Sequence, residues 1–201
     1  MIVFDASGSM TGMGFGETAV RRIEQVRRAL AEVLPTVAPA RNLGLMVFGP
    51  GKRDACENVD LNLRPVSELR RAHHVGGGQA PALRPDAADE RGGRRCRSIA
   101  LPRERPAVIV LLTDGEETCR GNPCAVAQEL KRQGADVTVH VIGYMLRYAC
   151  ELGGGQSRCL SESTGGMFLS TETTEELSDA LRKTLACPLI SSRALTGRPA
   201  R

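Results

Sequence analysis

Two short segments of the chain place acidic and hydroxyl side chains directly after apolar runs. The first is Asp5-Ala-Ser7-Gly-Ser9 and the second is Thr113-Asp114-Gly115. Alone, the first segment is more typical of a helix N-cap or an Asx-turn than of a ligand site. Together, the segments offer carboxylate and hydroxyl oxygens without thiolate or imidazole, the donor set of a hard divalent cation such as Mg²⁺, Mn²⁺ or Ca²⁺. The predicted metal ligands are Asp5, Ser7, Ser9 and Asp114.

The elements around these segments alternate between strands and helices. Apolar or alternating runs predict strands at residues 2–4, 43–48, 59–63, 106–113, 137–142 and 167–169. Apolar spacings of three and four predict a helix at residues 18–34, closed by Pro35. Helices are also predicted at residues 125–133, which end at Gly134, and at residues 174–185, which follow an N-cap at Thr173 or Thr174. This alternation predicts a Rossmann-like, doubly wound α/β fold, with a mainly parallel central sheet, one antiparallel edge strand and helices on both faces.

The predicted sheet brings the two segments together. Residues 2–4 and 108–112 are expected to form neighbouring strands near the centre of the sheet. In such sheets, ligands bind beyond the carboxyl ends of the strands, where the strand order reverses. Asp5 and Asp114 are therefore expected at one edge, facing a common crevice.

Composition excludes several classes of protein. The chain has 201 residues, of which 41% are hydrophobic and 3% aromatic, and it contains no Trp. A core of this size suits one globular domain, and the scarcity of aromatic residues argues against base-stacking nucleic-acid modules. No apolar run approaches the roughly 18 residues of a membrane span, and the opening residues lack the features of a signal peptide.

The net charge of +4 belongs to one segment. Residues 70–105 contain nine Arg and four acidic residues, whereas the rest of the chain is nearly balanced. With five Gly and few branched apolar residues, the segment has neither helical nor strand periodicity. It is open to three interpretations: an Arg-rich arm that binds phosphate or nucleic acid, a loop or disordered insert, or a stretch read in a shifted frame.

Seven cysteines are many for a reduced compartment, at positions 56, 96, 119, 124, 150, 159 and 187. Cys119 and Cys124 are the closest pair, and the Gly and Pro between them allow the chain to curl into a small disulfide. A zinc site formed by the cysteines at 119, 124, 150 and 159 and a set of buried free thiols are the alternatives.

The motifs together identify a family. Phe4-Asp-Ala-Ser-Gly-Ser-Met10, followed by a helix, and the apolar strand ending at Thr113-Asp-Gly115 resemble the von Willebrand factor type A (VWA) domain with its metal-ion-dependent adhesion site (MIDAS). The resemblance extends through Gly44–Gly49, Asp136–Gly143 and Thr164-Gly-Gly166. The stretch around Cys119 and Cys124 looks like the bacterial branch of that family, which is similar to calcium-activated chloride channel subunits and is often exported or membrane-anchored.

The resemblance implies roles for individual residues. Ser7 and Ser9 would ligate the cation directly, whereas Asp5 and Asp114 would act directly or through water. The family usually adds a Thr in a Gly-x-Thr-Pro context, and here Gln79 and Ala80 stand in its place. Gln79 is a substitute ligand with a weaker carbonyl oxygen, which implies reduced affinity. Thr113 is expected to pack rather than to ligate.

The function implied by the resemblance is adhesion without catalysis. An Asp or Glu carboxylate of a protein partner would fill an open position on the cation. An alternative is a Mg²⁺-dependent phosphohydrolase of haloacid-dehalogenase-like architecture with Asp5 as the nucleophile, but Ser7 stands where such enzymes need a second Asp. The expected organisation is one VWA-like domain over residues 1–186 and a basic tail over residues 187–201. The number of cysteines and the resemblance favour the cell envelope, the periplasm or the extracellular space.

Overall fold

The computed structural model describes residues 1–13, 20–38, 41–50, 57–65, 106–115, 119–146 and 154–186. The predictions on the Arg-rich segment 70–105, on the substitute ligand Gln79 and on the tail 187–201 lie outside the described residues.

Six strands form one sheet in the order β3-β2-β1-β4-β5-β6. The strands are β1 (Ile2–Asp5), β2 (Leu45–Phe48), β3 (Val59–Leu63), β4 (Ala107–Thr113), β5 (Val137–Tyr144) and β6 (Phe168–Thr171). All neighbouring pairs are parallel except β2 and β3, which are antiparallel. The predicted fold class, the antiparallel edge strand and the adjacency of β1 and β4 are confirmed.

Helices cover both faces of the sheet. On one face, α1 (Arg22–Val37) and α4 (Thr174–Ala186) pack together over a core that includes Ile2, Phe4, Val110, Leu112 and Ile142. On the other face lie α2 (Pro123–Arg132) and α3 (Gly154–Ser163), where Leu160 packs against the valines of β5. Because β5 is covered on both sides, seven of its eight residues are buried, including the polar His140.

The boundaries of α1 differ from the prediction at both ends. The helix begins at Arg22 rather than near residue 18, and it continues through Pro35 to Val37. A proline in the last turn leaves only the carbonyl of Ala31 without its helical partner, and this residue is exposed to solvent. Pro35 therefore does not end the helix.

Helix α3 was missing from the sequence-based prediction. Its sequence, GGQSRCLSES, begins with two glycines and has only one large apolar residue, so its periodicity is weak. Contacts with α2 and β5 stabilise it instead, in keeping with the rule that tertiary packing overrides weak local propensity. By contrast, the ends of α2 and α4 follow local signals: Asn122 and Thr173 accept the capping N–H groups of Ala125 and Glu176.

The predicted disulfide between Cys119 and Cys124 is wrong. Cys124, at the start of α2, is bonded to Cys159 of α3, 35 residues later, with the two Cα atoms 5.4 Å apart. The contact between the two helices, which the sequence did not predict, brings these sulfurs together. Cys119 is disulfide-bonded as well, though not to Cys124. These bonds exclude the zinc site and the free-thiol interpretation for these three cysteines.

Among the described residues, no helix is both long enough and apolar enough to cross a membrane.

Candidate metal site

The two predicted segments meet at the carboxyl ends of β1 and β4. The two strands are hydrogen-bonded neighbours, with Phe4 opposite Leu112. Asp5 is the last residue of β1 and Asp114 follows β4, and both are buried, at 5% and 7% exposure. Two carboxylates at the edge of an apolar core require compensating partners, which the surrounding loops supply.

The loop after β1 turns tightly so that both serines face this edge. Gly8–Thr11 forms a 3₁₀ turn anchored by the buried side chain of Met10, while Ser7 is half-buried and Ser9 exposed. Gly49, directly after β2, permits this close approach: a Cβ atom there would lie 3.1 Å from Ser7, and its φ of +76° also favours glycine. The end of β2 thus holds the serine loop against the sheet.

A row of oxygen atoms runs across the site. The hydroxyls of Ser7 and Ser9 are 2.9 Å apart, and the Ser9 hydroxyl donates a hydrogen bond of 2.7 Å to Asp114 Oδ1. Neighbouring ligands of an octahedral Mg²⁺ with bonds of about 2.1 Å are separated by about 3.0 Å. The three oxygens therefore already have the spacing of adjacent ligands, and the donor set fits a hard divalent cation.

Asp5 has a different position in this network. Its Oδ1 accepts the N–H of Ser7 at 2.8 Å, and its Oδ2 accepts the hydroxyl of Thr113 at 2.6 Å. Both oxygens are therefore engaged in holding the two loops together. This arrangement suits a carboxylate that acts on a cation through water, one of the two roles implied for Asp5.

Thr113 does more than the packing that the sequence led us to expect. Besides donating to Asp5, its hydroxyl accepts the N–H of Gly115 at 3.2 Å, which fixes the turn that carries Asp114. Thr113 is thus a positioning residue. The sequence did contain a sign of this role. Thr113 stands between an apolar strand and an acidic residue, and a hydroxyl buried there needs a hydrogen-bond partner.

Arg22 is the residue of the candidate site that sequence reasoning missed. Its Nη1 lies 2.8 Å from Asp114 Oδ2, opposite the oxygen that accepts from Ser9. Asp114 is thereby satisfied on both sides, by a hydroxyl and by a guanidinium. The available signal was an arginine at the start of a helix, where the helix dipole disfavours a positive charge.

A buried polar contact lies beside Arg22, between α1 and the sheet. The fully buried Tyr144, at the end of β5, donates a hydrogen bond of 2.7 Å to Gln25 Oε1 on α1, and burial raises the pKa of this tyrosine. This contact fixes the first turn of α1 relative to the sheet. Arg22 therefore reaches Asp114 from a well-supported backbone.

The histidine of β5 has no part in the site. His140 is buried, which lowers the pKa of its imidazole, and its Nδ1 accepts the N–H of Met167 at 3.0 Å. Within the described ranges, no cluster of three or more His, Cys, Asp or Glu side chains could hold a metal. The donor set of the candidate site is therefore two carboxylates and two hydroxyls.

Known sequences are similar to this chain over most of its length. A family profile described as the von Willebrand factor type A domain matches residues 1–162. YwmD of Bacillus subtilis, an uncharacterized protein, is 26% identical over 190 residues, which cover 90% of this chain and 82% of YwmD.

Solved structures share the fold. An aerotolerance-related membrane protein from Bacteroides fragilis, carrying multiple mutations to serines, superposes with a TM-score of 0.54 at 15% identity, over 92% of this chain and 96% of that one. Proximal thread matrix protein 1 from the mussel byssus, solved with a zinc-occupied MIDAS motif, superposes with a TM-score of 0.53 at 17% identity. That match covers 92% of this chain and 43% of the mussel protein.

Proposed function

Since this chain belongs to the von Willebrand factor type A family of interaction modules, we propose that it binds an acidic side chain of a protein partner through a divalent cation. The proposed ligands are Asp5, Ser7, Ser9 and Asp114, with Mg²⁺ as the preferred ion and Mn²⁺ or Ca²⁺ as substitutes. The observation that carries the proposal is the convergence of three oxygens, with the Ser9 hydroxyl 2.9 Å from that of Ser7 and 2.7 Å from Asp114 Oδ1.

The residues divide the work. Asp114 provides the buried negative charge, Ser7 and Ser9 provide neutral oxygens, and Asp5 with Thr113 fixes the two loops. A bound cation would supply a Lewis-acidic position for a carboxylate oxygen of the partner. Because Ser9 is exposed, this position is accessible from solvent. The mussel protein with its zinc-occupied MIDAS motif supports a divalent metal on this fold.

The residues present favour binding over phosphoryl transfer. A haloacid-dehalogenase-like site needs a second carboxylate two residues after its nucleophile, and here that position is Ser7, whose hydroxyl contacts Ser9. The disulfides also suit an exported module: Cys119, Cys124 and Cys159 are oxidised, as in proteins of the cell envelope. We therefore propose a non-enzymatic module that acts in an oxidising compartment.

Titration calorimetry with Mg²⁺ and Mn²⁺ tests the metal site. We expect weak binding by the wild-type chain and a loss of affinity of at least about tenfold in Ser9→Ala, since even the hydrogen-bond partners of ligands contribute this much. Ser170→Ala, an exposed serine in β6, is the matched control and should bind like the wild type. If Ser9→Ala bound the metal as tightly as the wild type, Ser9 would not be a ligand.

The recognition of a carboxylate needs its own test. Acetate should displace water from Mn²⁺ bound to the protein, because a carboxylate is the proposed last ligand. The expected result is a lower water-proton relaxation rate as acetate is added at constant ionic strength. Acetamide has nearly the same size and no charge, so it should leave the rate unchanged. An equal effect of both solutes, or of neither, would contradict the proposed mode of binding.

A further inference from the structure

We propose that Arg22 is an internal cation that competes with the divalent metal for Asp114 and thereby sets the affinity of the site. This inference rests on the proposed function, because it concerns access to the same carboxylate. The carboxylate of Asp114 exchanges one partner for another: it pairs with the guanidinium of Arg22 in the metal-free protein and with the metal ion when one binds.

The contact is direct and lies at the floor of the site. Arg22 Nη1 is 2.8 Å from Asp114 Oδ2, and the side chain of Asp114 is completely buried while that of Arg22 is 21% exposed. The other oxygen of Asp114 accepts from Ser9. A positive charge therefore already neutralises the carboxylate that would contribute most to binding a cation.

The backbone holds Arg22 in this place. Its N–H donates a hydrogen bond of 3.0 Å to the carbonyl of Gly12, and the adjacent Arg21 forms an isolated β-bridge with Met13. These contacts tie the first turn of α1 to the loop that carries Ser9. The ion pair is thus part of the same local structure as the loop with Ser7 and Ser9.

The position of Arg22 has an electrostatic cost that the contact with Asp114 offsets. The first residue of an α-helix lies at the positive end of the helix dipole, where an arginine is unfavourable. Positions that break such a local rule are expected at functional sites. The ion pair with Asp114 compensates for the unfavourable interaction of Arg22 with the helix dipole.

The ion pair is also incomplete, so it can be exchanged. Arg22 Nε is buried without a hydrogen-bond partner in the described part of the chain, and the contact uses one nitrogen of the guanidinium where a bidentate pair would use two. A buried donor without a partner weakens the closed arrangement. Because the side chain is partly exposed, the guanidinium can move toward solvent when a doubly charged ion replaces it.

Removing the competing charge should therefore strengthen metal binding. In Mn²⁺ titrations followed by calorimetry and by the electron paramagnetic resonance signal of the free ion, we expect Arg22→Gln to bind about tenfold more tightly than the wild type. Arg28→Gln is the matched control: it removes the same charge from an exposed position on the same helix. We expect this control to bind Mn²⁺ like the wild type.

A second readout needs no metal. In chelator, urea unfolding of the wild type, Arg22→Gln, Asp114→Asn and the double variant forms a double-mutant cycle that measures the coupling of the pair. We expect Arg22→Gln to be less stable than the wild type and the double variant to be more stable than the sum of the single changes. Added Mn²⁺ should then raise the unfolding midpoint of Arg22→Gln more than that of the wild type.

The outcomes separate the two proposals. Equal Mn²⁺ affinity in the wild type and Arg22→Gln would overturn the competition and leave the metal-dependent function standing. Tight binding by Arg22→Gln together with none by the wild type would support the competition and overturn metal dependence in the native chain. No binding by any variant, even with a strong coupling between Arg22 and Asp114, would overturn both.

Discussion

The Asp114→Asn variant is expected to lose divalent-cation binding altogether. Asparagine keeps the shape of the side chain and can still accept the hydrogen bond from Ser9, but it removes the buried charge that attracts the ion. Asp5 does not replace this charge at the cation, because it holds Ser7 and Thr113 and would act on the ion through water. Calorimetric titration with Mn²⁺ should give only the heat of dilution.

Two controls make this result specific. Asp60→Asn removes the same charge from an exposed position on the edge strand β3 and should bind Mn²⁺ like the wild type. Unfolding in urea should show that Asp114→Asn is still folded, although destabilised by about 1 to 3 kcal/mol because Arg22 loses its charged partner. Unchanged Mn²⁺ affinity in the folded Asp114→Asn variant would mean that Asp114 is not a ligand.

The sheet was predictable because its central strands carry an unmistakable pattern. A parallel strand covered on both faces reads as a continuous apolar run, as residues 107–112 do, and an edge strand alternates, as residues 59–63 do. The parallel strands β1 and β4 lie side by side and therefore bring Asp5 and Asp114 to one edge of the sheet. The convergence of the four predicted ligands follows from this topology.

The partners of these ligands were not predictable in the same way. Arg22 belongs to a periodic stretch that fits a helix starting near residue 18, and its ion pair with Asp114 spans 92 positions. The bond between Cys124 and Cys159 likewise depends on α3, whose own sequence barely indicates a helix. Both contacts are set by the packing of elements, which a local pattern does not contain.

A glycine before the last strand shows how a motif can have a purely structural cause. Gly166 lies in Thr164-Gly-Gly166, one of the segments on which the family resemblance was based. A Cβ atom at this position would lie 1.8 Å from the carbonyl oxygen of Val139, inside β5. The hydroxyl oxygen of Thr164 accepts the N–H of Val139 at 3.0 Å, so the turn packs directly against β5.

We expect Gly166→Ala to be the most destabilising single methyl addition among the described residues, by about 3 kcal/mol, the upper end of the usual cost of overpacking. The overlap is with backbone of a central buried strand, which cannot move aside as a flexible side chain could. Displacing the turn would also break the bond between Met167 and His140. The free energy of unfolding, measured by urea denaturation under non-reducing conditions, gives the value directly.

Gly155→Ala is the matched control for this effect. Gly155 lies in helix α3, where an added Cβ atom meets nothing within 4 Å, so alanine should stabilise the protein by about 0.5 to 1 kcal/mol through its higher helix propensity. The two substitutions add the same methyl group to the same region with opposite expected signs. If Gly166→Ala unfolded at the urea concentration of the wild type, β5 would have to lie farther from this turn than the structure places it. The closeness of that packing, rather than any contact with a ligand, is then the reason why this part of the motif needs glycine.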